Sequence, residues 1–348
     1  MIDENNVSET RDGLAEFTES QPNENIADNK NGKPRGERSH AARKKLADDF
    51  FALLALSRRT LKIFLLDKAA VLFSLLAPLI LLLLYTLFLG DVQIAAVKNG
   101  LPSGVELSDA AIKAFIDSWV AAGVMSVGCI TVSLSANTVM VQDRERGLTR
   151  DALASPVSGG VVALGYFLYN FVVTLFICSA VFAVCLIYLA ISGSFFMTAA
   201  EAFSAYGVTV LSCLSSTLVN VFISGFFRTN SAFSAFVGIV SAVVGFVIGA
   251  YMPVSILPVY VRYITCLFPG SYSAGLFRSF FMRGALGTLA GGSGEVYSAL
   301  ASSYAVEFDF FGVSLGSGAM AAVLSGTVVL FLIVNIIYGT VSARRKRA

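Results

Sequence analysis

Residues 69–90 read Ala-Ala-Val-Leu-Phe-Ser-Leu-Leu-Ala-Pro-Leu-Ile-Leu-Leu-Leu-Leu-Tyr-Thr-Leu-Phe-Leu-Gly, 22 positions without a charge. A bilayer core of about 30 Å is crossed by about 20 apolar helical residues. Inside it the backbone has no water to bond, so a crossing segment satisfies its own N–H and C=O groups as a helix. A transmembrane strand would alternate lipid-facing and polar positions, and the unbroken run Leu79–Leu84 forbids that. Working outward, five more windows lack Asp, Glu, Lys, Arg and His: 118–142, 152–200, 202–227, 229–261 and 310–343.

The whole chain has the same bias. Of 348 residues 56% are hydrophobic and 14% charged, with a mean hydropathy of +0.74. Soluble domains carry about 45–50% apolar and about 25% charged residues. This balance excludes a disordered protein, a nucleic-acid binder and an ordinary soluble enzyme. The net charge of +2 points to no acidic partner. Cys129, Cys178, Cys185, Cys213 and Cys266 lie scattered in apolar runs, without a C-x-x-C pair, and read as small core hydrophobes. One histidine, His40, builds no histidine metal site.

The long window 152–200 has no turn signal between Val161 and Ile191 and reads as one long helix. The stretch 263–277 is too short to cross. It sits in a segment broken by Pro253, Pro258, Pro269, Gly270 and Gly275, so two short re-entrant or surface helices are expected between 252 and 283. Six spans result, centred near residues 80, 130, 176, 214, 241 and 330. With both termini inside, 20 Lys and Arg lie on the inner side and 5 on the outer, the bias that sets orientation. The fold class is an all-α integral membrane protein, with a disordered cytoplasmic tail over 1–42 and a transmembrane domain over 69–343. A basic C-terminus covers 344–348. Over 43–68, Leu46, Phe50, Leu53, Leu54, Leu61, Phe64 and Leu65 recur near helical spacing among Arg58, Arg59, Lys62 and other basic residues. That pattern predicts an amphipathic helix on the inner leaflet, in contact with membrane lipid. The outer loop 91–117 is expected to hold a short helix from Ser108. The Gly-rich outer loop 284–309 is expected to be mobile.

The chemistry missing from these windows narrows the function. Self-powered transporters keep acidic and basic groups inside the membrane, and these windows hold no Asp, Glu, Lys, Arg or His. Neither a G-x-x-x-x-G-K-[ST] loop nor a Ser/His/Asp set is present. The expectation is therefore no catalytic residue, no metal and no cofactor on this chain. The polar residues Asn137, Asn170, Asn220 and Asn335 fall in four different spans. Helix-to-helix hydrogen bonding explains them, and a weakly polar lining of a translocation path is the second reading.

The most charged inner segment is Gln142-Asp143-Arg144-Glu145-Arg146-Gly147-Leu148-Thr149-Arg150-Asp151-Ala152-Leu153-Ala154-Ser155-Pro156-Val157-Ser158. Both signs at helical spacing predict a short surface helix, breakable at Gly147 and stopped by Pro156. Tied to long membrane helices at both ends, it can dock on a soluble partner, or it can be a solvated loop. The segment resembles the inner loop of ABC-2 type permeases, the membrane subunits of bacterial ATP-driven exporters. The resemblance rests on Asp143, Arg144, Glu145, Arg146 and Gly147, then Leu153, Ser155, Pro156 and Val157. Upstream, Arg58, Arg59, Lys62 and Asp67 followed by Pro78-Leu79-Ile80 are similar to that family's surface helix entering its first span. Downstream, Met252-Pro253, Leu257-Pro258, Phe268-Pro269 and Tyr272 resemble its outer segment after the fifth span.

The resemblance implies a half-transporter in the plasma membrane, paired with itself or a sister permease. A separate ABC ATPase subunit would hold ATP and Mg. The surface helix, residues 142–158 and a second inner contact at Arg228, Thr229 and Asn230 would face that ATPase. The cargo implied is amphipathic or hydrophobic: a drug, peptide, lipid or lipid-linked glycan. A passive channel or membrane scaffold without an ATPase also fits the uncharged spans, but leaves the charged inner segment unexplained.

Overall fold

The computed structural model describes residues 35–100, 108–149, 157–291, 293–310 and 313–347. The chain divides into two units, residues 1–46 and residues 47–348. Helix α1 runs Arg35–Leu66, so helix replaces the expected tail from residue 35 onward. The stretch after Pro34 is rich in Ala, Arg and Lys, which favour helix. Residues 1–34 of that tail lie outside the described residues.

Asp67 separates α1 from α2 (Lys68–Leu84), accepting a hydrogen bond from the Ala70 N–H at 3.0 Å as an N-cap. A π-helical turn over Tyr85–Leu89 follows, and α3 (Gly90–Gly100) continues from it. Helix α4 (Asp109–Ala136) breaks at Asn137 and resumes as α5 (Thr138–Glu145). The short helix expected from Ser108 is the start of this long element. Its charged beginning stays helical because Asp117 is satisfied: Lys113 Nζ lies 2.8 Å, Tyr188 Oη 2.9 Å and Ser194 Oγ 2.6 Å from its carboxylate.

Helix α6 (Gly159–Ile191) is one unbroken element of 33 residues, as its sequence predicts. At about 1.5 Å per residue it is about 50 Å long, more than a bilayer core requires. Helix α7 (Ala199–Ser224) starts in a capping box, with Thr198 and Glu201 each bonding the other's backbone N–H. Helix α8 (Asn230–Val247) follows a tight turn. The broken stretch then forms a 3-10 turn at Val254–Ile256, α9 (Val259–Cys266) and α10 (Pro269–Phe281). The loop expected to be mobile instead forms α11 (Arg283–Ala290) and α12 (Gly294–Ser303). Leu286, Leu289, Leu300 and Ala301 are buried there, because these glycines alternate with apolar residues that have a core to enter. A two-stranded hairpin pairs β1 (Phe308–Phe310) antiparallel with β2 (Val313–Leu315), Phe308 opposite Leu315. Helix α13 (Ser317–Arg347) ends the described chain.

Among the described residues, six helices are long and apolar enough to cross a membrane: 68–88, 109–145, 159–191, 199–224, 230–247 and 317–341. They are called spans one to six below. In the most apolar 18-residue stretch of the second span 94% of residues are buried, against 17% in those of the fifth and sixth. The second is thus the central pillar, packed against the first, third and fourth spans and α10. Trp119, Phe115, Met125 and Leu134 on it are almost fully enclosed. The fifth span packs sparsely, and Ile239, Val243 and Phe246 on it remain exposed, as lipid-facing side chains do.

Candidate functional site

The end of the second span carries three consecutive charged residues, each turned to a different neighbour. Asp143 is 2% exposed. It accepts two hydrogen bonds from Arg59 of α1, at 2.7 Å and 3.1 Å, and one from the Tyr166 hydroxyl of the third span at 2.9 Å. A planar guanidinium matches a carboxylate in this two-point geometry, which fixes orientation as well as proximity. The Asp143 hydrogen bonds hold the Arg59 guanidinium above its ordinary value.

Two further contacts fasten α1 at this level. Ser57 Oγ donates to the Gly165 carbonyl at 2.8 Å. Leu56 seats directly on Gly165, where an added Cβ would lie 2.8 Å from its Cδ2. Glycine at 165 therefore sets how closely α1 approaches the third span.

Arg144 turns the other way. Its Nη1 donates to the carbonyls of Ser224, Gly225 and Phe227, at 3.2 Å and 3.0 Å for the first and last. The last carbonyls of an α-helix have no partner within it and carry its negative end, so a cation there is favourable. Tyr338 of the sixth span donates to the Gly225 carbonyl at 3.2 Å. Glu145 completes the set. Its Oε2 accepts from the backbone N–H of Asn230, the first residue of the fifth span, at 3.2 Å. A carboxylate at a helix N-terminus complements the opposite dipole end. The short turn between spans four and five is thus gripped by a cation on its carbonyl side and an anion on its amide side.

Arg146 and Leu148 are exposed beyond this grip, and Gly147 turns the chain at φ +82°. Arg58 and Lys62 on α1 are exposed, as are Arg228 and Thr229 on the four–five turn. The structure therefore splits the sequence-predicted set. Arg59, Asp143 and Arg144 serve contacts within the chain, while Arg58, Lys62, Arg146, Arg228 and Thr229 face outward. Glu145 and Asn230 meet each other. Leu153, Ser155 and Pro156 lie outside the described residues.

Three of the four span asparagines bridge helices. Asn170 Nδ2 donates to the Ser133 carbonyl at 2.8 Å, and its Oδ1 accepts from Thr174 at 2.9 Å. Asn220 donates to the Ile130 carbonyl at 3.2 Å, and Asn335 to the Leu218 carbonyl at 2.9 Å. Such bonds hold membrane helices together. Asn220 also edges a cavity of about 90 Å³ lined by Ile130, Ser216, Phe236, Phe268 and Ser273. Asn137 differs: it is 1% exposed at the break in the second span, and neither atom of its amide has a hydrogen-bond partner.

Sequence reasoning missed Tyr166, Ser57 and Gly165, which carry no charge to mark them. It also missed Arg278, placing it on an outer segment. Arg278 is 1% exposed in α10 and donates through Nη2 to the carbonyls of Ile248 and Gly249, at 2.8 Å and 2.6 Å. It closes the C-terminal end of the fifth span as Arg144 closes that of the fourth. Burial pulls its guanidinium down to about 10. The signal was a single arginine surrounded by Phe277, Phe280 and Phe281.

Six helices long and apolar enough to cross a membrane, four of them tied together at one end by a short charged segment, define the class: a multi-pass membrane protein. The ABC-2 type transporter family matches residues 52–282, and the chain belongs to that family. It is a transport permease of an ABC system and is not itself catalytic. No curated protein matches the chain.

Proposed function

We propose that the chain is the permease subunit of an ABC exporter, moving an amphipathic or hydrophobic substrate outward across the bacterial plasma membrane on power from a separate ATPase subunit. The observation that carries this reading is the Asp143–Arg144–Glu145 triplet. It ties the end of the second span to α1 and to the third, fourth and fifth spans. A push on the exposed residues beside it, Arg146 and Leu148, is delivered to four spans and α1 at once. The ATPase would press there and on Arg58, Lys62 and Arg228, with ATP and Mg on its own chain. The excess of Lys and Arg at this side supports a cytoplasmic position for it and for both termini. The uncharged spans favour an apolar or amphipathic cargo over a small ion. Two permeases, identical or sister chains, would frame the path, and the outer short helices between residues 252 and 283 would dip into the bilayer.

The test is co-expression with a candidate ATPase, purification in detergent and reconstitution into vesicles. The reading expects a stable complex and ATP-dependent movement of an amphiphile. A permease that reproducibly purifies without any ATPase, or that moves cargo without one, overturns it.

A further inference from the structure

Three of the five cysteines converge. Cys129 comes from the second span, Cys178 from the third and Cys213 from the fourth, and their Sγ atoms all lie within 4.8 Å of one another. Cys129 and Cys213 are 3.8 Å apart. All three are free thiols with no exposed surface. One buried cysteine is a small apolar filler and needs no ligand. Three thiols meeting from three different helices form a donor set.

Geometry and charge together select what it would hold. Three bonds of about 2.3 Å to one centre hold the sulfurs about 4 Å apart if the site is planar and about 3.5 Å apart if it is pyramidal, so a pyramidal centre needs the thiols to close in slightly from the spacing here. Thiolates select soft centres. The windows 118–142, 152–200 and 202–227 around the cluster contain no Asp, Glu, Lys, Arg or His, so no side chain there carries a charge at neutral pH to offset one on the complex. Any net charge on a complex would stand uncompensated in a low-dielectric interior, where an isolated ion is strongly disfavoured. Three thiolates around copper(I) leave two negative charges and around zinc(II) one, whereas around a trivalent centre they leave none. We propose that Cys129, Cys178 and Cys213 form a trigonal thiol site for a soft trivalent metalloid, with arsenic(III) as its simplest probe.

The step is a condensation without electron transfer. Arsenous acid, As(OH)3, meets three thiols. Three As–O and three S–H bonds break, three As–S bonds form, and three waters leave with the protons. The product staples the second, third and fourth spans at one point, so occupancy holds fixed helices that a rocking transporter must let shift. This inference rests on the bundle geometry and stands whether or not the transport reading does.

The full chain, reduced and purified in detergent, is incubated with arsenite and desalted, and bound arsenic is measured. One arsenic per chain is expected to survive a glutathione wash. In the unmodified protein arsenite should shield three of the five thiols from a maleimide added in SDS. Retention should fall at least tenfold in Cys129→Ala, Cys178→Ala or Cys213→Ala that still elute as folded protein, and stay unchanged in the Cys185→Ala, Cys266→Ala double variant. The shielding count reads the site even if a variant fails to fold. No retained arsenic, fewer than three shielded thiols, or retention that follows Cys185 or Cys266 overturns the site. Preferential retention of copper(I) or zinc(II) overturns the charge argument that selects its occupant.

Discussion

Arg59 and Asp143, 84 positions apart in the chain, join through two parallel hydrogen bonds of 2.7 Å and 3.1 Å. The pair holds α1 on the end of the central span. Removing the arginine leaves an enclosed carboxylate with one phenol for company. Arg59→Ala should cost roughly 1.5–3 kcal/mol of stability, the range for hydrogen bonds to charged groups. Arg59→Lys should recover only part of it, because an ammonium cannot bond both oxygens in the plane. Thermal unfolding in detergent measures both, and an Arg59→Ala protein as stable as the parent would show that the pair is not a fastening.

Arg144 and Arg146 should separate under charge reversal. Arg144→Glu turns a carboxylate onto the carbonyls of Ser224, Gly225 and Phe227, so the expected result is a poorly folded protein. Arg146 is exposed, and Arg146→Glu should leave stability within about 0.5 kcal/mol while weakening stimulation of the partner ATPase. Insertion yield, melting temperature and ATPase rate are the three readouts. Normal stimulation in a folded Arg146→Glu protein removes the docking role of that residue.

Gly165 should tolerate no larger side chain while Leu56 remains. A Cβ there meets Leu56 Cδ2 at 2.8 Å, and Gly165→Val is expected to cost about 1–3 kcal/mol, as overpacking does. Leu56→Ala in the same chain should return part of the loss. If the two changes add independently, the contact does not set the approach.

Asn137 and Asn170 should respond in opposite ways to leucine. Asn170→Leu strips a helix bridge and should lower stability by roughly 1 kcal/mol. Asn137 makes no side-chain hydrogen bond, so Asn137→Leu should leave stability unchanged or raise it. A fall in transport with stability kept would mark Asn137 as part of the path. Unaltered transport would make it a packing defect at a helix break.

Sidedness is read by cysteine labelling, helped by the burial of all five native thiols. Glu295→Cys is exposed at α12 and should react with an impermeant maleimide on intact cells, whereas Ser20→Cys should react only after permeabilisation. The reverse pattern overturns the orientation.

The spans were legible because lipid imposes one rule on the backbone, and runs such as Leu79–Leu84 state it without reference to any neighbour. The true start of the second span was hidden. Lys113 and Asp117 look like loop residues until Tyr188 and Ser194, more than 70 positions away, are seen to satisfy the carboxylate. The triplet 143–145 was legible as charge but not as direction. A helix period gives the face of Arg144, not which carbonyls from another helix wait beside it. Arg278 counted only as one of the outer basic residues for the same reason, since its partners are main-chain oxygens that no side chain advertises. Glycines 165 and 284–294 were ambiguous because glycine marks both close packing and open loop. At 165 the neighbour that decides is Leu56.

The fifth span is fastened at both of its ends. Glu145 holds its first residue and Arg278 the carbonyls of Ile248 and Gly249 just past its end, while Phe233 and Val244 bed one flank against Val127, Ile130 and Leu134 of the second span. A rod clamped at both ends and bedded along one side acts as a lever: what moves the second span is carried from one clamp to the other.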